Sequence, residues 1–275
     1  MSKKNIAVIG NGVYGSALAF LFGKKHETRI FGREKKNEGD LLISEYENMS
    51  KQFDYLIISI TTRGLSDLLP KIAENIAPHT HIILAMKGLT SNGLLPVDEC
   101  KKYLPSHRIS VLSGPGFAEE IMAETPVHLV IAGENITEDE EEDFLVENLT
   151  LDFTDDIHGV SWCGVLKNIY AIGAGMASQK PGFDRAHYTR EAVHEMSLLL
   201  EVLHCKALTA HGPAGRGDMW VCTTPHSSNF RYGAGDISLR DQAEGYNAHL
   251  KFYEQYKGKI DFSSFKILSE IQKKL

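Results

Sequence analysis

The sequence predicts an α/β fold in which an N-terminal domain with a mostly parallel sheet, residues 1–157, precedes a smaller all-α domain, residues 158–275. Two observations support this prediction. Short β-branched runs alternate with helix-like segments as far as Asp156, a pattern typical of a parallel sheet with helices on both faces. From His158 onward the apolar residues follow helical spacing, and almost no strand signal remains. The boundary between the two domains is therefore expected near residues 155–160.

The first half contains six segments that are typical of buried strands. They are residues 5–10, 28–32, 55–60, 81–86, 108–113 and 127–133. Helices are predicted between them near residues 14–22 and 65–76. A third, acidic helix is expected at residues 137–149, with Thr137 as its cap and its early carboxylates at the positive end of the helix. In the second half, residues 186–203 form a long amphipathic helix.

The composition excludes several classes of protein. The formal net charge of -7 gives no electrostatic case for a nucleic-acid or membrane partner. No apolar run is long enough to span a bilayer, and the apolar start is interrupted by Gly10–Gly12 before any cleavage site. The sequence contains four widely spaced cysteines without a CxxC pair, which favours reduced thiols in a cytoplasmic protein.

Three residues of the long helix invite a metal interpretation. His187, Glu191 and His194 follow at i, i+4 and i+7, on one helical face. Three ligands on one helix rarely converge on a single ion, and no HExxH motif is present. We therefore predict that these residues form a surface face and that the protein binds no metal.

The turn after the first strand carries the first motif of chemical interest. Gly10, Gly12 and Gly15 have GxGxxG spacing, between a predicted strand and a predicted helix. The first glycine permits a tight turn, the second lets backbone approach a pyrophosphate, and the third lets the helix pack on the strand. Val13 and Tyr14 begin the helix, whose N-terminal N–H groups can bind phosphate. This arrangement predicts a Rossmann-type domain that binds NAD or NADP.

The end of the second strand bears on the choice between these two cofactors. An acidic residue at this point would hold the ribose 2′-hydroxyl, whereas an arginine would accept a 2′-phosphate. Arg33 precedes Glu34 here, so NADP is an option and NAD stays open. The simpler interpretation is two solvated charges in a turn.

Two further turns follow predicted strands. Lys87 lies just after the fourth strand, and Gly114–Gly116 connects the fifth strand to a helix that includes Ala118. Either turn could simply end a strand. In an open α/β sheet, however, ligands bind beyond the carboxyl ends of the strands. Both turns are expected at the edge where the cofactor binds.

A single charge interrupts an apolar segment in the second domain. Lys167 is the one charged residue among the fourteen from Cys163 to Met176, which read as a buried helix. A buried lysine must reach water, find an anion or lose its proton. Without further information, a lysine that extends from a packed helix to solvent is the simpler interpretation.

Taken together, these motifs resemble the NAD(P)-dependent glycerol-3-phosphate dehydrogenases of the bacterial type. Six stretches match in the family's order as far as Gly233: IAVIGNGVYGSALA, AMKGL, LSGPGFAEEI, GVSWCGVLKNIYAIGAGM, AHYTREAVHEM and GPAGRGDMWVCTT…SSNFRYG. The resemblance implies a Rossmann domain joined to an all-helical domain. It also implies reversible reduction of dihydroxyacetone phosphate to glycerol 3-phosphate by a cytoplasmic homodimer.

The resemblance further implies roles for individual residues. Lys167 would be the catalytic lysine, with a pKa lowered by partial burial, and Asp218 would pair with it. Lys87 would be a second catalytic, substrate- and cofactor-contacting lysine. The remaining substrate contacts implied by the resemblance are Gly114, Gly116, Ser227, Ser228 and Asn229. Ala118 would approach the nicotinamide.

The sequence also departs from the family pattern. Where the family has Ser-Arg-Asn, with an arginine that contacts phosphate, this chain has Ser227-Ser228-Asn229. Gly116 replaces a serine of the family, and the segment after Gly233 is short. That segment normally supplies an acidic residue to the cofactor site, which the sequence alone does not assign. Arg216 and Arg231 are the nearest candidates to replace the missing arginine.

Two alternative functions stay open at this point. One is a related two-domain dehydrogenase that acts on another hydroxy compound. The other is a non-catalytic dinucleotide-binding protein whose phosphate site has been lost. The presence of Lys87, Lys167 and Asp218 favours an enzyme, and the loss of the arginine at position 228 favours the alternatives.

Overall fold

The computed structural model describes residues 2–275 of the chain. The chain divides into two compact units, Met1–Ile157 and His158–Leu275. The first unit contains the sheet and the second is helical, which confirms the predicted fold class. None of the helices among the described residues is long and apolar enough to cross a membrane.

The first unit is built on one eight-stranded sheet with the order β3-β2-β1-β4-β5-β6-β7-β8. All neighbouring strands are parallel except β6 and β7, which pair antiparallel. The strands are β1 Asn5–Ile9, β2 Glu27–Gly32, β3 Leu41–Leu42, β4 Tyr55–Ile58, β5 His81–Leu84, β6 Ile109–Ser113, β7 Val127–Gly133 and β8 Leu149–Thr154. The strand order reverses beside β1, so the carboxyl ends of β1 and β4 form the crevice where open α/β sheets bind ligands.

Five helices accompany this sheet. They are α1 Val13–Gly23, α2 Thr62–Ile72, α3 Pro96–Tyr103, α4 Ala118–Met122 and α5 Glu138–Phe144. The central strands are buried because both faces are covered; Ile6, Val8 and Ile57 pack in one cluster with the apolar residues of α1. Thr137 caps α5 as predicted, accepting a hydrogen bond from the Glu140 amide.

Two details of the predicted pattern are wrong. The acidic helix ends at Phe144 and not at residue 149. After a turn at residues 145–148, Leu149–Thr154 form β8, which pairs with β7 at the edge of the sheet. Its sequence LTLDFT alternates apolar and polar residues, as a half-buried strand does, but the predicted helix was extended to Leu149 and covered the start of this run.

The second unit contains six helices. They are α6 Ile157–Ser178, which begins at the boundary, α7 Arg185–Val202, α8 Asp218–Cys222, α9 Ser228–Gly233, α10 Glu244–Tyr256 and α11 Lys266–Gln272. Every residue from 159 to 175 on α6 is buried, as expected for a helix that is apolar all round. The backbones of α6 and α9 pack closely, since a Cβ at Gly175 would lie 2.0 Å from the Phe230 carbonyl oxygen.

A buried carboxylate attaches α11 to the rest of this unit. Glu195, on α7, accepts hydrogen bonds of 2.8 Å from the amides of Ile267 and Leu268 at the start of α11. The Tyr170 hydroxyl on α6 donates to the same carboxylate at 3.1 Å. Burial raises the pKa of Glu195 despite these three donors. The carboxylate therefore connects three helices of the second unit.

Candidate functional site

The glycine-rich turn follows β1 directly, and its three glycines differ in their surroundings. Gly10 has φ +118, and a Cβ there would lie 2.1 Å from the Ser59 carbonyl oxygen after β4. A Cβ at Gly15 would lie 1.9 Å from the Gly10 carbonyl oxygen, because α1 packs against the turn. Gly12, the N-cap of α1, has nothing within 4 Å of its Cβ position. This open space in front of a helix N-terminus fits the pyrophosphate of a dinucleotide.

A hydrogen-bonded pair supports this turn from the side of β2. The buried Asn11 side chain donates to the Asp40 carboxylate at 2.8 Å and to the Glu34 carbonyl oxygen at 2.7 Å. Asp40 also accepts from the backbone amides of Lys36 and Asn37. Burial raises the pKa of Asp40, but these hydrogen bonds outweigh it and lower the pKa overall. The pair thereby joins the glycine-rich turn to the loop after β2.

Sequence reasoning missed this pair. The one signal for it in the sequence was weak: Gly32, the last residue of β2. A Cβ at this position would lie 2.4 Å from the Asn11 amide, so the pair requires a glycine here. Arg33 follows Gly32 and is exposed, as are Glu34 and Lys36 in the same loop. Arg33 thus stands at the end of β2, where a ribose 2′-substituent is read in dinucleotide-binding folds.

Val13 and Tyr14 begin α1, immediately after the open Gly12. The Val13 side chain is 71% exposed although it is apolar, whereas Tyr14 is half-buried against the core of the sheet domain. The first residues of α1 therefore present backbone N–H groups and one apolar side chain to the space in front of the turn.

Lys87 and the Gly114–Gly116 turn lie together at the same edge of the sheet. The Lys87 ammonium donates to the Gly114 carbonyl oxygen at 3.0 Å. Gly114 has φ +121 and approaches the backbone of His128, so a side chain is disfavoured there. Gly116 is half-buried, and Ala118 is the buried first residue of α4. All the sites predicted in the first domain therefore follow the carboxyl ends of parallel strands.

In the second unit, Lys167 is buried at the centre of α6. Its ammonium donates to the Asp218 carboxylate at 2.9 Å and to the Cys222 sulfur at 2.9 Å. Asp218 and Cys222 begin and end α8, so they lie four residues apart on one face of that helix. Both side chains are also buried. The predicted pairing of Lys167 with Asp218 is present, and Cys222 is a third member that sequence reasoning missed.

The expected direction of the pKa shift at Lys167 is wrong. Burial by itself lowers the pKa of a lysine, as the sequence analysis assumed. The carboxylate of Asp218 at 2.9 Å, together with the Cys222 sulfur, outweighs burial and raises the pKa of Lys167 above its ordinary value. Lys167 is therefore an ammonium at neutral pH, fixed by a buried counter-charge. Such a group can stabilise a negatively charged oxygen and donate a proton to it.

A second hydrogen-bonded chain lies beside Lys167. Asn168, the next residue on α6, accepts from the Asn229 amide at 3.1 Å, and Asn229 accepts from the Gly245 backbone amide at 2.8 Å. The Glu244 carboxylate lies 3.5 Å from the Asn168 amide nitrogen. The predicted Asn229 is thus joined to α6 and to the start of α10. Glu244 is the acidic residue of the segment after Gly233 that these contacts place beside Asn168.

Ser227 and Ser228 make contacts within this unit as well. The Ser227 hydroxyl caps α9 by accepting from the Phe230 amide at 3.4 Å. The half-buried Ser228 donates to the Gln242 carbonyl oxygen at 3.2 Å. Arg231 is exposed on α9. Arg216 is also exposed and lines a cavity formed with α7 and Trp220. In the part of the chain that the structure describes, neither arginine forms an ion pair with Asp218 or a hydrogen bond with Cys222.

The three residues of α7 that invited a metal interpretation are exposed, as predicted for a surface face. His187, Glu191 and His194 all lie at the surface. Among residues 2–275, no group of three or more His, Cys, Asp and Glu side chains is placed to hold a metal ion. The four cysteines form no disulfide.

The family models and the sequence relatives agree on one family. The family model for the N-terminus of NAD-dependent glycerol-3-phosphate dehydrogenase matches residues 41–139, and the model for its C-terminus matches residues 156–273. Glycerol-3-phosphate dehydrogenase (NAD(P)+) of Agrobacterium fabrum is 30% identical and covers 85% of this chain and 80% of its own length. The protein of that name from Desulfitobacterium hafniense is 31% identical, over 83% of this chain and 72% of its own.

Solved structures show the same fold. A glycerol-3-phosphate dehydrogenase from Coxiella burnetii has a TM-score of 0.85 at 23% identity, covering 99% of this chain and 96% of its own. The yeast enzyme from Saccharomyces cerevisiae has a TM-score of 0.84 at 15% identity, covering 98% of this chain and 95% of its own. With both family models matched and relatives of 30% identity or more, the chain belongs to the NAD-dependent glycerol-3-phosphate dehydrogenase family.

Proposed function

We propose that this chain is an NAD(P)-dependent oxidoreductase that reversibly reduces dihydroxyacetone phosphate to sn-glycerol 3-phosphate, with Lys167 as the proton donor. The observation that carries the proposal is the buried Lys167 ammonium held 2.9 Å from the Asp218 carboxylate. Burying a charged lysine in an apolar helix costs free energy, and an apolar residue would pack at this position without that cost. In carbonyl reduction, a fixed positive charge stabilises the negative charge that develops on the oxygen.

Carbonyl reduction requires a hydride for the carbonyl carbon and a proton for the carbonyl oxygen. NADH or NADPH, when bound, supplies the hydride that reduces the carbonyl carbon. Negative charge then develops on the carbonyl oxygen, and the Lys167 ammonium stabilises this charge and donates its proton. Asp218 holds the ammonium in place and keeps its pKa high, so the proton is present when it is needed. In the oxidative direction the neutral lysine must form first, and its raised pKa opposes that step.

Cofactor binding is assigned to the edge of the sheet. Gly10 and Gly15 shape the turn, and the open backbone at Gly12 with the start of α1 receives the pyrophosphate. Arg33 is assigned to the ribose 2′-position, which predicts that NADPH binds more tightly than NADH. Replacing it in Arg33→Ala is expected to weaken NADPH binding more than NADH binding. Equal losses for both cofactors in a fluorescence titration would show that Arg33 does not read the 2′-position.

We assign candidate substrate contacts within each unit separately. Lys87 and Gly114 lie together after β5 and β6, and Asn229 lies on the chain of hydrogen bonds beside Lys167. Glu244 is our candidate for the acidic residue that the family uses at the cofactor site, since it is the carboxylate that lies against Asn168. Ser228 offers only a hydroxyl where the family has a phosphate-binding arginine, so we expect a high KM for the phosphorylated substrate.

Two further expectations follow from the family resemblance. We propose a homodimer and a cytoplasmic location, because the chain resembles enzymes of that kind. Sedimentation of the purified protein tests the first of these. A monomer at micromolar concentration would contradict it.

A spectrophotometric assay tests the proposed function. The purified chain is mixed with dihydroxyacetone phosphate and NADH or NADPH, and oxidation of the reduced cofactor is followed by its absorbance. We expect turnover that requires both components. Cofactor binding without turnover, even at high substrate concentration, would favour a non-catalytic dinucleotide-binding protein. Turnover with unphosphorylated hydroxy ketones alone would favour a related dehydrogenase.

A further inference from the structure

The cavity that Arg216 lines is in the helical unit, and the residues assigned to the chemical step do not line it. Its volume is about 560 Å³, within the range of small-molecule pockets. It is bounded by one face of α7, by residues 211–216 and by Trp220 of α8. The lining residues are Ala186, Thr189, Arg190, Glu191, Val193, His194, His211, Arg216 and Trp220. Lys167, Asp218, Cys222 and Asn229 are not among them.

The polar groups of this cavity carry an unusual balance of charge. The chain has a formal net charge of -7 with histidine counted as neutral, yet the lining includes two arginines against one carboxylate, together with two histidines. Arg190 is already engaged, with His187 at 2.7 Å and Glu191 at 3.3 Å. Arg216, His194 and His211 make no side-chain hydrogen bond or ion pair with any residue from 2 to 275. The cavity thus offers unused donors to an anion.

The walls between these groups are apolar. Ala186, Val193 and the Trp220 ring supply them, and Trp220 is 44% exposed. Arg185 stacks on the Trp220 ring at 3.7 Å and donates to its backbone carbonyl at 3.3 Å. This contact fixes the orientation of the indole. A fixed aromatic side chain beside the unpaired Arg216 guanidinium suits a ligand with both an apolar body and a negative charge.

The short helix α8 separates this cavity from Lys167. Asp218 and Cys222, four residues apart, share the face that contacts the Lys167 ammonium. At 3.6 residues per turn, Trp220 projects from roughly the opposite side of the helix. The same helix therefore carries the counter-ion of Lys167 on one face and a wall of the cavity on the other.

We propose that this cavity is a second binding site, for an amphipathic anion in which an aromatic or acyl body carries a phosphate, sulfonate or carboxylate. Arg216 contacts the charged group, with His194 and His211 nearby, and the Trp220 ring packs on the apolar body. Lys167, Asp218 and Asn229, which we assign to the carbonyl substrate, do not line this cavity.

The chain offers a specific reporter for this site. It contains two tryptophans, of which Trp162 is 5% exposed and Trp220 is 44% exposed. Labelling with fluorotryptophan gives one fluorine NMR signal for each, and Trp220→Phe assigns them. The probe is anilinonaphthalene sulfonate. We expect it to shift the Trp220 signal in a saturable way and to leave the Trp162 signal in place. Its neutral counterpart, N-phenylnaphthylamine, is expected to bind at least about fivefold more weakly because it lacks the charge.

Matched variants decide whether the binding is that of the proposed site. Arg216→Ala should weaken probe binding about tenfold, the effect of losing one charge-assisted hydrogen bond. Arg231→Ala, which removes an exposed arginine that does not line the cavity, should leave the affinity unchanged. Probe binding is measured without substrate or dinucleotide, so a failure of the proposed catalytic role does not affect the result.

Any of the following results would overturn the proposal. One is the absence of a Trp220 shift at millimolar probe. Another is equal binding of the charged and neutral probes, or equal binding by wild type and Arg216→Ala. The third is a Trp220 signal that depends on protein concentration without probe, which would mean that a second copy of the chain covers this face.

Discussion

The glycine-rich turn of the first unit and the Lys167 cluster of the second (Lys167, Asp218 and Cys222) interact with charged groups in different ways. The turn offers backbone: Gly12 leaves open space before a helix N-terminus, and a Cβ at Gly10 or Gly15 would overlap backbone oxygens. The cluster offers side chains: one ammonium is held between a carboxylate and a sulfur, all three of them buried.

This difference determines how each site tolerates change. Backbone N–H groups carry only partial charges and need no counter-ion, so the turn depends on space and on the direction of the chain. A buried ammonium needs its partner, because removal of one member leaves an unpaired charge in a dry environment. Substitutions in the turn should therefore affect binding or folding, whereas substitutions in the cluster should affect the rate of the chemical step.

The largest expected effect is on the cluster. Lys167→Ala should lower kcat for dihydroxyacetone phosphate reduction by about 10³-fold or more, since several kcal/mol of transition-state stabilisation are lost. The affinity for NADH or NADPH should change little. The matched control is Lys266→Ala, an exposed lysine of α11 in the same unit. Steady-state kinetics and a cofactor titration measure both quantities. Undiminished turnover in Lys167→Ala would remove this residue from the mechanism.

Loss of the counter-ion should have the next largest effect. Asp218→Asn keeps the shape of the side chain but removes the charge that holds the Lys167 ammonium. We expect kcat to fall by about 10²-fold, with thermal stability also reduced because the buried ammonium loses its partner. Glu195→Gln provides the control, as Glu195 is another buried carboxylate of this unit and contacts α11. A similar fall in kcat for both variants would mean that the loss at Asp218 reflects general disruption of the fold.

Restoring the family's arginine tests the weak phosphate site. Ser228→Arg should lower KM for dihydroxyacetone phosphate by about tenfold, as one charge-assisted pair of roughly 1.5–3 kcal/mol would give. The control is Ser238→Arg, which adds the same charge at an exposed position. If Arg216 or Arg231 already binds the phosphate, Ser228→Arg will not improve KM, and alanine at one of those two positions will raise it.

The two glycine positions should separate binding from folding. Gly15→Ala places a Cβ 1.9 Å from the Gly10 carbonyl oxygen and should destabilise the protein by at least roughly 1–3 kcal/mol. Gly12→Ala meets no atom within 4 Å, so its unfolding free energy should change by about 1 kcal/mol or less. It should nevertheless weaken dinucleotide binding, because the methyl group occupies the space assigned to the pyrophosphate. Equal dinucleotide affinity in Gly12→Ala and wild type would place the cofactor elsewhere.

The smallest expected effect is the change with pH in the contribution of Glu195 to the free energy of unfolding. Its pKa is raised in the folded protein, so the unfolded chain releases this proton at lower pH than the folded one. The contribution of Glu195 to stability is therefore full below its unfolded pKa and decreases as pH rises through the folded pKa. Relative to Glu195→Gln, wild type should lose roughly 0.5–1.5 kcal/mol between acidic and neutral pH. Urea denaturation at several pH values measures this; a gain in relative stability with rising pH would contradict it.

Local patterns in the sequence predicted the first unit well, because its features depend on short-range physics. The glycine spacing, the Thr137 cap and the positions of Lys87 and Gly114 after strands all follow from a few adjacent residues. The edge strand β8 was missed although LTLDFT alternates apolar and polar residues, because the predicted acidic helix was extended to Leu149, the first residue of this strand. The Asn11–Asp40 pair was missed because its two members are far apart in the sequence.

The Lys167 cluster could not be predicted from local pattern. Lys167 and Asp218 are 51 residues apart, and only the family resemblance brought them together before the structure did. The wrong direction of the pKa shift has a different origin: Asp218 was expected beside Lys167, but only burial was weighed, and the carboxylate at 2.9 Å outweighs burial. Cys222 had one signal, its position four residues after Asp218 on a short helix.

The pH dependence of kcat for dihydroxyacetone phosphate reduction tests the central claim most directly, in wild type and in Asp218→Asn. Lys167 acts as an acid, and its pKa is raised by Asp218, so wild-type activity should persist as pH rises from neutral to well into the alkaline range. In Asp218→Asn the counter-charge is gone and burial lowers the pKa, so the residual activity should decline at a lower pH. A wild-type rate that falls near neutral pH, with the same profile in Asp218→Asn, would contradict the account.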